Sequence, residues 1–155
     1  MPVKGLSDNA LKTSIDTLNS RLADMVALKL AIKQAHWNVE GAGFIAFHEL
    51  LDEVYTRAED HSDEIAERVQ ILGGVAKGRA EDAVDASVVK TYPTDLKSVK
   101  DHAKALSERY ADLGEAVRKD IDSVSEAGDE GTTDLLTGVS RTLDKDLWFI
   151  ESHIK

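Results

Sequence analysis

The chain has 155 residues, of which 42% are hydrophobic, carries a formal net charge of −10 and contains no cysteine. This length supports one core and is short for two, so a single domain over residues 1–155 is expected; without thiolates or disulfides, any metal must be held by oxygen and imidazole. The acidic balance repels polyphosphate backbones and favours cations, "MPVKGLSDNA" shows no leader pattern, and no run approaches the roughly 18 apolar residues of a membrane span, so a cytoplasmic protein with no membrane partner is expected.

Two prolines and abundant Ala, Leu, Asp, Glu and Lys predict an all-α class, because straight-chain residues lose little rotamer freedom in a helix. After the capping cluster "LSDN", Leu11, Ile15, Leu18, Leu22 and Met25 recur at spacings of three and four, which predicts a first long helix ending near Asn38. Its last part, "MVALKLAIKQAHW", is apolar on more than one face and predicts burial on two sides. The turn "NVEGAG" leads into a second helix from about Phe44 to Leu72, with Phe47, Leu51, Val54, Ala58, His61, Ile65, Val69 and Leu72 in one stripe and Gly73-Gly74 as its stop. An irregular connection follows, with a short helix at "AEDAVDAS" and a stop at Tyr92-Pro93. A third long helix is expected from about Asp95 to Glu126, carrying Ala103, Leu106, Tyr110, Leu113, Val117, Ile121 and Val124 on one face. After the turn "EAGDEGTTD", Leu136, Val139, Leu143, Leu147 and Ile150 mark a fourth helix running almost to the last residue. Short, long and short connections between four long helices describe a four-helix bundle with one long crossover, the ferritin-like connectivity rather than the simple up-down one.

Taking 100° per residue, His48, Asp52, Asp63 and Glu67 fall within about 100° of each other, roughly 150° from the apolar stripe of the second helix. Carboxylates pointing away from a core are most often a solvated face. Here, however, His48 with Asp52 and Asp63 with Glu67 are i,i+4 pairs, a spacing at which two side chains on adjacent turns share one cation. His36 precedes the "NVEGAG" turn by about as much as His48 follows it, so an antiparallel helix pair sets the two imidazoles at similar height. Histidine with carboxylates suits iron, manganese or zinc. Asp52 and Asp63 are separated by about 16 Å of helix rise, so one chain cannot close a site around one ion. Two copies of the helix packed antiparallel about a two-fold axis near Arg57 and Ala58 would instead make two identical sites from complementary halves.

These residues resemble the Dps family, the mini-ferritins. The resemblance runs from "SDNA" through "KQAHWNVEG", "FHELLDEVY", "DEIAERVQILGG", "YPTDLKSVKDH" and "GDEGTTDLL" to "SRTLDKDLWFIESHI", and His36-Trp37-Asn38, His48 with Asp52, and Asp63 with Glu67 match that family's ferroxidase signature in identity and spacing. It implies a hollow homododecamer whose two-fold interfaces each hold two di-iron sites, with His36, His48 and Asp52 from one subunit and Asp63 and Glu67 from the other. It implies oxidation of Fe(II), by hydrogen peroxide in preference to dioxygen, and storage of ferric mineral, with zinc or another divalent ion as a substitute for iron at the site. It makes Trp37 a trap for stray oxidising equivalents, against the alternative of an aromatic packed at the helix end. Lys33, one turn before His36, would balance charge near the site, although a surface lysine is the ordinary expectation. Glu130 and Asp134 are assigned to a cation-entry pore at a three-fold axis, against the alternative that this acidic turn, with Asp129, simply caps the fourth helix.

His61 lies on the apolar stripe and reads as a hydrogen-bonded core histidine, while His102 and His153 have no acid partner at convincing spacing and stay unassigned. No histidine follows a glutamate by three residues, so the Glu-x-x-His element of an intrabundle di-iron site is missing. DNA compaction is the alternative function the resemblance raises. Before the first helix the arm offers Lys4 and the chain amine, and twelve copies would carry roughly −120, so DNA binding is expected to be weak.

Overall fold

The computed structural model describes residues 3–155 as five helices: α1 (Asp8–Asn38), α2 (Phe44–Ile71), α3 (Ala80–Ala86), α4 (Val99–Ala127) and α5 (Glu130–Glu151). Local chemistry sets most of the boundaries. Ser7 Oγ accepts from the Ala10 amide at 3.1 Å and starts α1. Gly43, at φ 80°, supplies the left-handed residue that turns the chain into α2, and Gly128, at φ 95°, closes α4. The second helix stops at Ile71, one residue earlier than expected, with Leu72 as its cap.

The third long helix departs further from expectation, starting at Val99 instead of near Asp95. Ser98 is the cap: its Oγ accepts from the Asp101 amide at 3.1 Å and donates to Asp101 Oδ2 at 2.7 Å. The residues before it are drawn elsewhere, since the Glu40 amide donates to the Lys97 carbonyl at 2.8 Å and Glu40 and Ser98 form an isolated parallel bridge. That contact ties the end of the crossover to the α1–α2 turn.

Contacts at both ends define the topology. Arg21 of α1 reaches Asp120 of α4, and Ser14 reaches Asp129 at the start of α5, while Glu40 sits by Ser98 at the opposite end. Thus α1 runs antiparallel to α2 and to α4, α5 runs antiparallel to α4 and α2, and the 72–98 connection returns along the length of the bundle. This is the ferritin-like bundle with one crossover bearing a short helix. Leu18, Ile32, Phe47, Leu51, Val54, Ile65, Leu106, Val117, Leu136 and Val139 are fully buried between the four long helices. Each such side chain contributes about 1.5–3 kcal/mol through water exclusion. The crossover supplies the second burial side expected of α1. Asp24, on α1, accepts from Ser87 Oγ and the Val88 amide, both at 2.8 Å, and Arg109, on α4, donates to the Lys90 carbonyl at 2.9 Å.

His61 is not a core residue. Its place on the stripe is taken by Ser62, which is buried and returns its hydroxyl to the Ala58 carbonyl at 2.7 Å. One residue of register, 100° around the helix, turns His61 to the edge, where Nδ1 lies 2.9 Å from Glu64 Oε2.

Candidate metal centre

His36, in the last turn of α1, and His48, one turn inside the start of α2, face each other across the connecting turn. Their rings stack with centroids 3.6 Å apart and planes 19° from parallel. His36 Nδ1 lies 3.0 Å from the His48 carbonyl, and His48 Nδ1 lies 2.8 Å from the His36 carbonyl. A carbonyl oxygen only accepts, so both Nδ1 atoms carry the hydrogen, and each neutral ring keeps its lone pair on Nε2. The reciprocal pair therefore fixes both tautomers and both ring orientations, which is how outer hydrogen bonds prepare imidazoles as metal ligands.

Asp52 stands one turn beyond His48. Its Oδ1 is 3.5 Å from His36 Nδ1 and accepts from Lys33 Nζ at 2.6 Å. The hydrogen bond from the Lys33 ammonium, with its charge, holds the Asp52 carboxyl below its ordinary value against the opposing effect of burial, so the group is an anion near neutrality. Lys33 is thus paired with a ligand candidate rather than free on the surface. Trp37 is 69% exposed in the single chain and does not pack against the end of its helix.

Asp63 and Glu67 lie further along α2, exposed on its outer face. The structure brings His36, His48 and Asp52 together and leaves Asp63 and Glu67 apart from them. Among the described residues of one chain, no three histidine or carboxylate side chains enclose a metal position.

At the mid-bundle, Arg57 Nε donates to Asp146 Oδ1 at 2.7 Å, and Asp146 is 2% exposed. Burial pushes the Asp146 carboxyl up, against the pull of the Arg57 guanidinium. A cation is therefore already built into the space between α2 and α5. His102 is buried with Nδ1 at 2.8 Å from the Tyr92 hydroxyl, and burial pushes its pKa down; His153 Nδ1 donates to the Phe149 carbonyl at 2.9 Å. Both imidazoles serve packing and local bonding.

At the far end, Asp129 caps α5 and is nearly inaccessible, accepting from Ser14 Oγ at 2.8 Å, from the Thr132 amide at 3.0 Å and from an Arg68 guanidinium nitrogen at 2.8 Å. The capping alternative for this turn holds for Asp129. Glu130 and Asp134 remain exposed, with Glu130 Oε1 accepting from Ser125 Oγ at 3.1 Å. Asp134 lines a shallow groove of about 440 Å³ shared with Glu64, Glu67, Arg68 and Arg141.

A profile of the Ferritin-like domain family matches residues 15–155. The chain is 48% identical over 150 residues to the DNA protection during starvation protein of Agrobacterium fabrum, which covers 97% of this chain and 93% of that protein. The tetragonal form of Mycobacterium smegmatis Dps superposes with a TM-score of 0.94 at 30% identity, covering 100% of this chain and 93% of that one. DpsC from Streptomyces coelicolor gives 0.95 at 31% identity, covering 100% and 91%. No helix among the described residues is long and apolar enough to cross a membrane. With its crossover bundle, its locked imidazole pair and these likenesses over nearly its whole length, the chain belongs to the Dps family of ferritin-like proteins.

Proposed function

We propose that this protein oxidises Fe(II) at di-iron sites shared between two copies of the chain and stores the ferric product, protecting the cell from oxidative damage. The observation that carries the reading is the reciprocal His36–His48 lock, which commits both Nδ1 atoms and leaves both Nε2 lone pairs outside those bonds, with the anionic Asp52 one turn beyond His48 and 3.5 Å from His36 Nδ1. In this reading two copies pack α2 against α2 about a two-fold axis near Arg57 and Ala58, and Asp63 and Glu67 of one copy complete the half-site of the other. Six such pairs form a hollow, cytoplasmic dodecamer in which each chain is one ferritin-like domain over residues 1–155. Support comes from the outward direction of His48, Asp52, Asp63 and Glu67 and from membership of the family.

Each Fe(II) gives up one electron, while hydrogen peroxide takes two electrons and two protons as its O–O bond breaks, yielding two waters. Pairing two irons therefore lets peroxide, the preferred oxidant over dioxygen, be consumed without releasing hydroxyl radical. Imidazole and carboxylate donors stabilise the ferric ion more than the ferrous and so favour its oxidation. Trp37, exposed next to His36, would intercept stray oxidising equivalents, and Glu130 with Asp134 would focus entering cations at a pore.

Addition of Fe(II) and peroxide, followed by ferric absorbance, tests the reading. A His48→Ala, Asp52→Ala double variant should lose the rapid phase by about 10–100-fold or more while keeping its assembly. Equal rates in the variant and the unmodified protein would remove the assignment. A second reading, direct binding of DNA, rests on the name of the Agrobacterium relative and is opposed by the net charge of −10 per chain.

A further inference from the structure

The Lys33 ammonium has two partners. Nζ lies 2.6 Å from Asp52 Oδ1 and 4.8 Å from the centroid of the Tyr55 ring. Lys33 is one turn before His36 on α1 and Tyr55 one turn after Asp52 on α2, so ammonium, carboxylate and aromatic face meet across the helix seam. Tyr55 packs its ring against the core, and the Lys33 side chain is 25% exposed. The ring is therefore a fixed surface, and the lysine stem leaves its head a short reach.

A divalent ion arriving at Asp52 meets a cation already bound to that carboxylate. Two positive charges cannot share the oxygen closely, so the ammonium must give way as the metal enters. The π face of an aromatic ring attracts an ammonium electrostatically, and more strongly when water is excluded. We propose that Tyr55 is a positioning residue that holds the Lys33 ammonium when a divalent metal takes Asp52. This rests on the reading of His36, His48 and Asp52 as a metal half-site. A side chain of comparable bulk without a π face leaves Asp52 as the sole strong partner of the ammonium, and Lys33 then competes harder with the metal.

The test is titration of Co(II) into the assembled protein without oxidant, followed by its visible absorption and by calorimetry. Tyr55→Leu should weaken Co(II) binding by about 3- to 30-fold, the range of a cation–π contact, and Tyr55→Phe, which keeps the ring face, should stay within about twofold of the unmodified protein. In a Lys33→Met background, Tyr55→Leu should leave the Co(II) affinity unchanged, since no ammonium remains to be held. Equal weakening by Tyr55→Leu in both backgrounds would make Tyr55 a packing residue and overturn the proposal, as would no weakening with Lys33 present. Failure of the half-site reading looks different: the His48→Ala, Asp52→Ala variant would bind Co(II) as tightly as the unmodified protein, and the proposal about Tyr55 would fall with it.

Discussion

Replacing Asp129 by alanine removes the acceptor on which three helices converge. The carboxylate caps α5 through the Thr132 amide, receives Ser14 of α1, and pairs with Arg68 of α2. Loss of an N-cap of this kind costs about 0.5–2 kcal/mol. Leaving Arg68 without its buried partner costs about 3–5 kcal/mol by itself, and the two effects overlap because they share one side chain. We therefore expect Asp129→Ala to destabilise the folded chain by about 4 kcal/mol, equivalent to roughly 8–16 °C in melting temperature for a domain of this size. Urea unfolding followed by circular dichroism, at pH 7 and fixed protein concentration, measures it; concentration must be held because self-association of the kind proposed would add to apparent stability. Asp129→Asn keeps the capping oxygen and loses the charge, so it should fall between the two. A loss below about 1 kcal/mol for Asp129→Ala would refute the reasoning, since Arg68 and Ser14 would then have found equivalent partners without it.

The same carboxylate makes stability depend on pH. Burial pushes the Asp129 carboxyl up, but the hydrogen bonds from Thr132 and Ser14 and the Arg68 charge outweigh burial and hold it below its ordinary value of 3.8. A carboxyl depressed in the folded state stabilises at pH values above its unfolded value, and that contribution disappears as pH falls through the folded one. The stability gap between the unmodified protein and Asp129→Asn should therefore narrow below about pH 4; a gap that stays constant from pH 7 to 3 would show that ionisation of Asp129 is not its source. For DNA, gel shifts at physiological salt should show little complex, because a chain of formal net charge −10 repels the phosphate backbone. Tight complexes formed without added divalent ions would contradict that charge argument.

Local rules read directly from the residues account for most of the helices. Ser7, Gly43, Gly128 and Asp129 bound them through bonds or dihedrals that span a few positions, and apolar spacing sets the faces of α1, α2, α4 and α5. The start of α4 was not legible, because the Glu40–Lys97 bond that draws its leading residues aside joins segments far apart in sequence. His61 was misplaced for the opposite reason: a stripe read at 100° per residue tolerates an error of one position, and only packing selects Ser62 over its neighbour.

The candidate site divides in the same way. By itself, the sequence determined the residue types and the i,i+4 spacing of His48 with Asp52 and of Asp63 with Glu67, because a helix converts spacing into a shared face. Only the tertiary structure decided that His36 and His48 lock each other's tautomers, that Lys33 sits between Asp52 and Tyr55, and that Arg57 meets a buried Asp146 from 89 positions away. Those contacts cross between helices, so they depend on the angle and register at which two helices pack, which no single helix encodes.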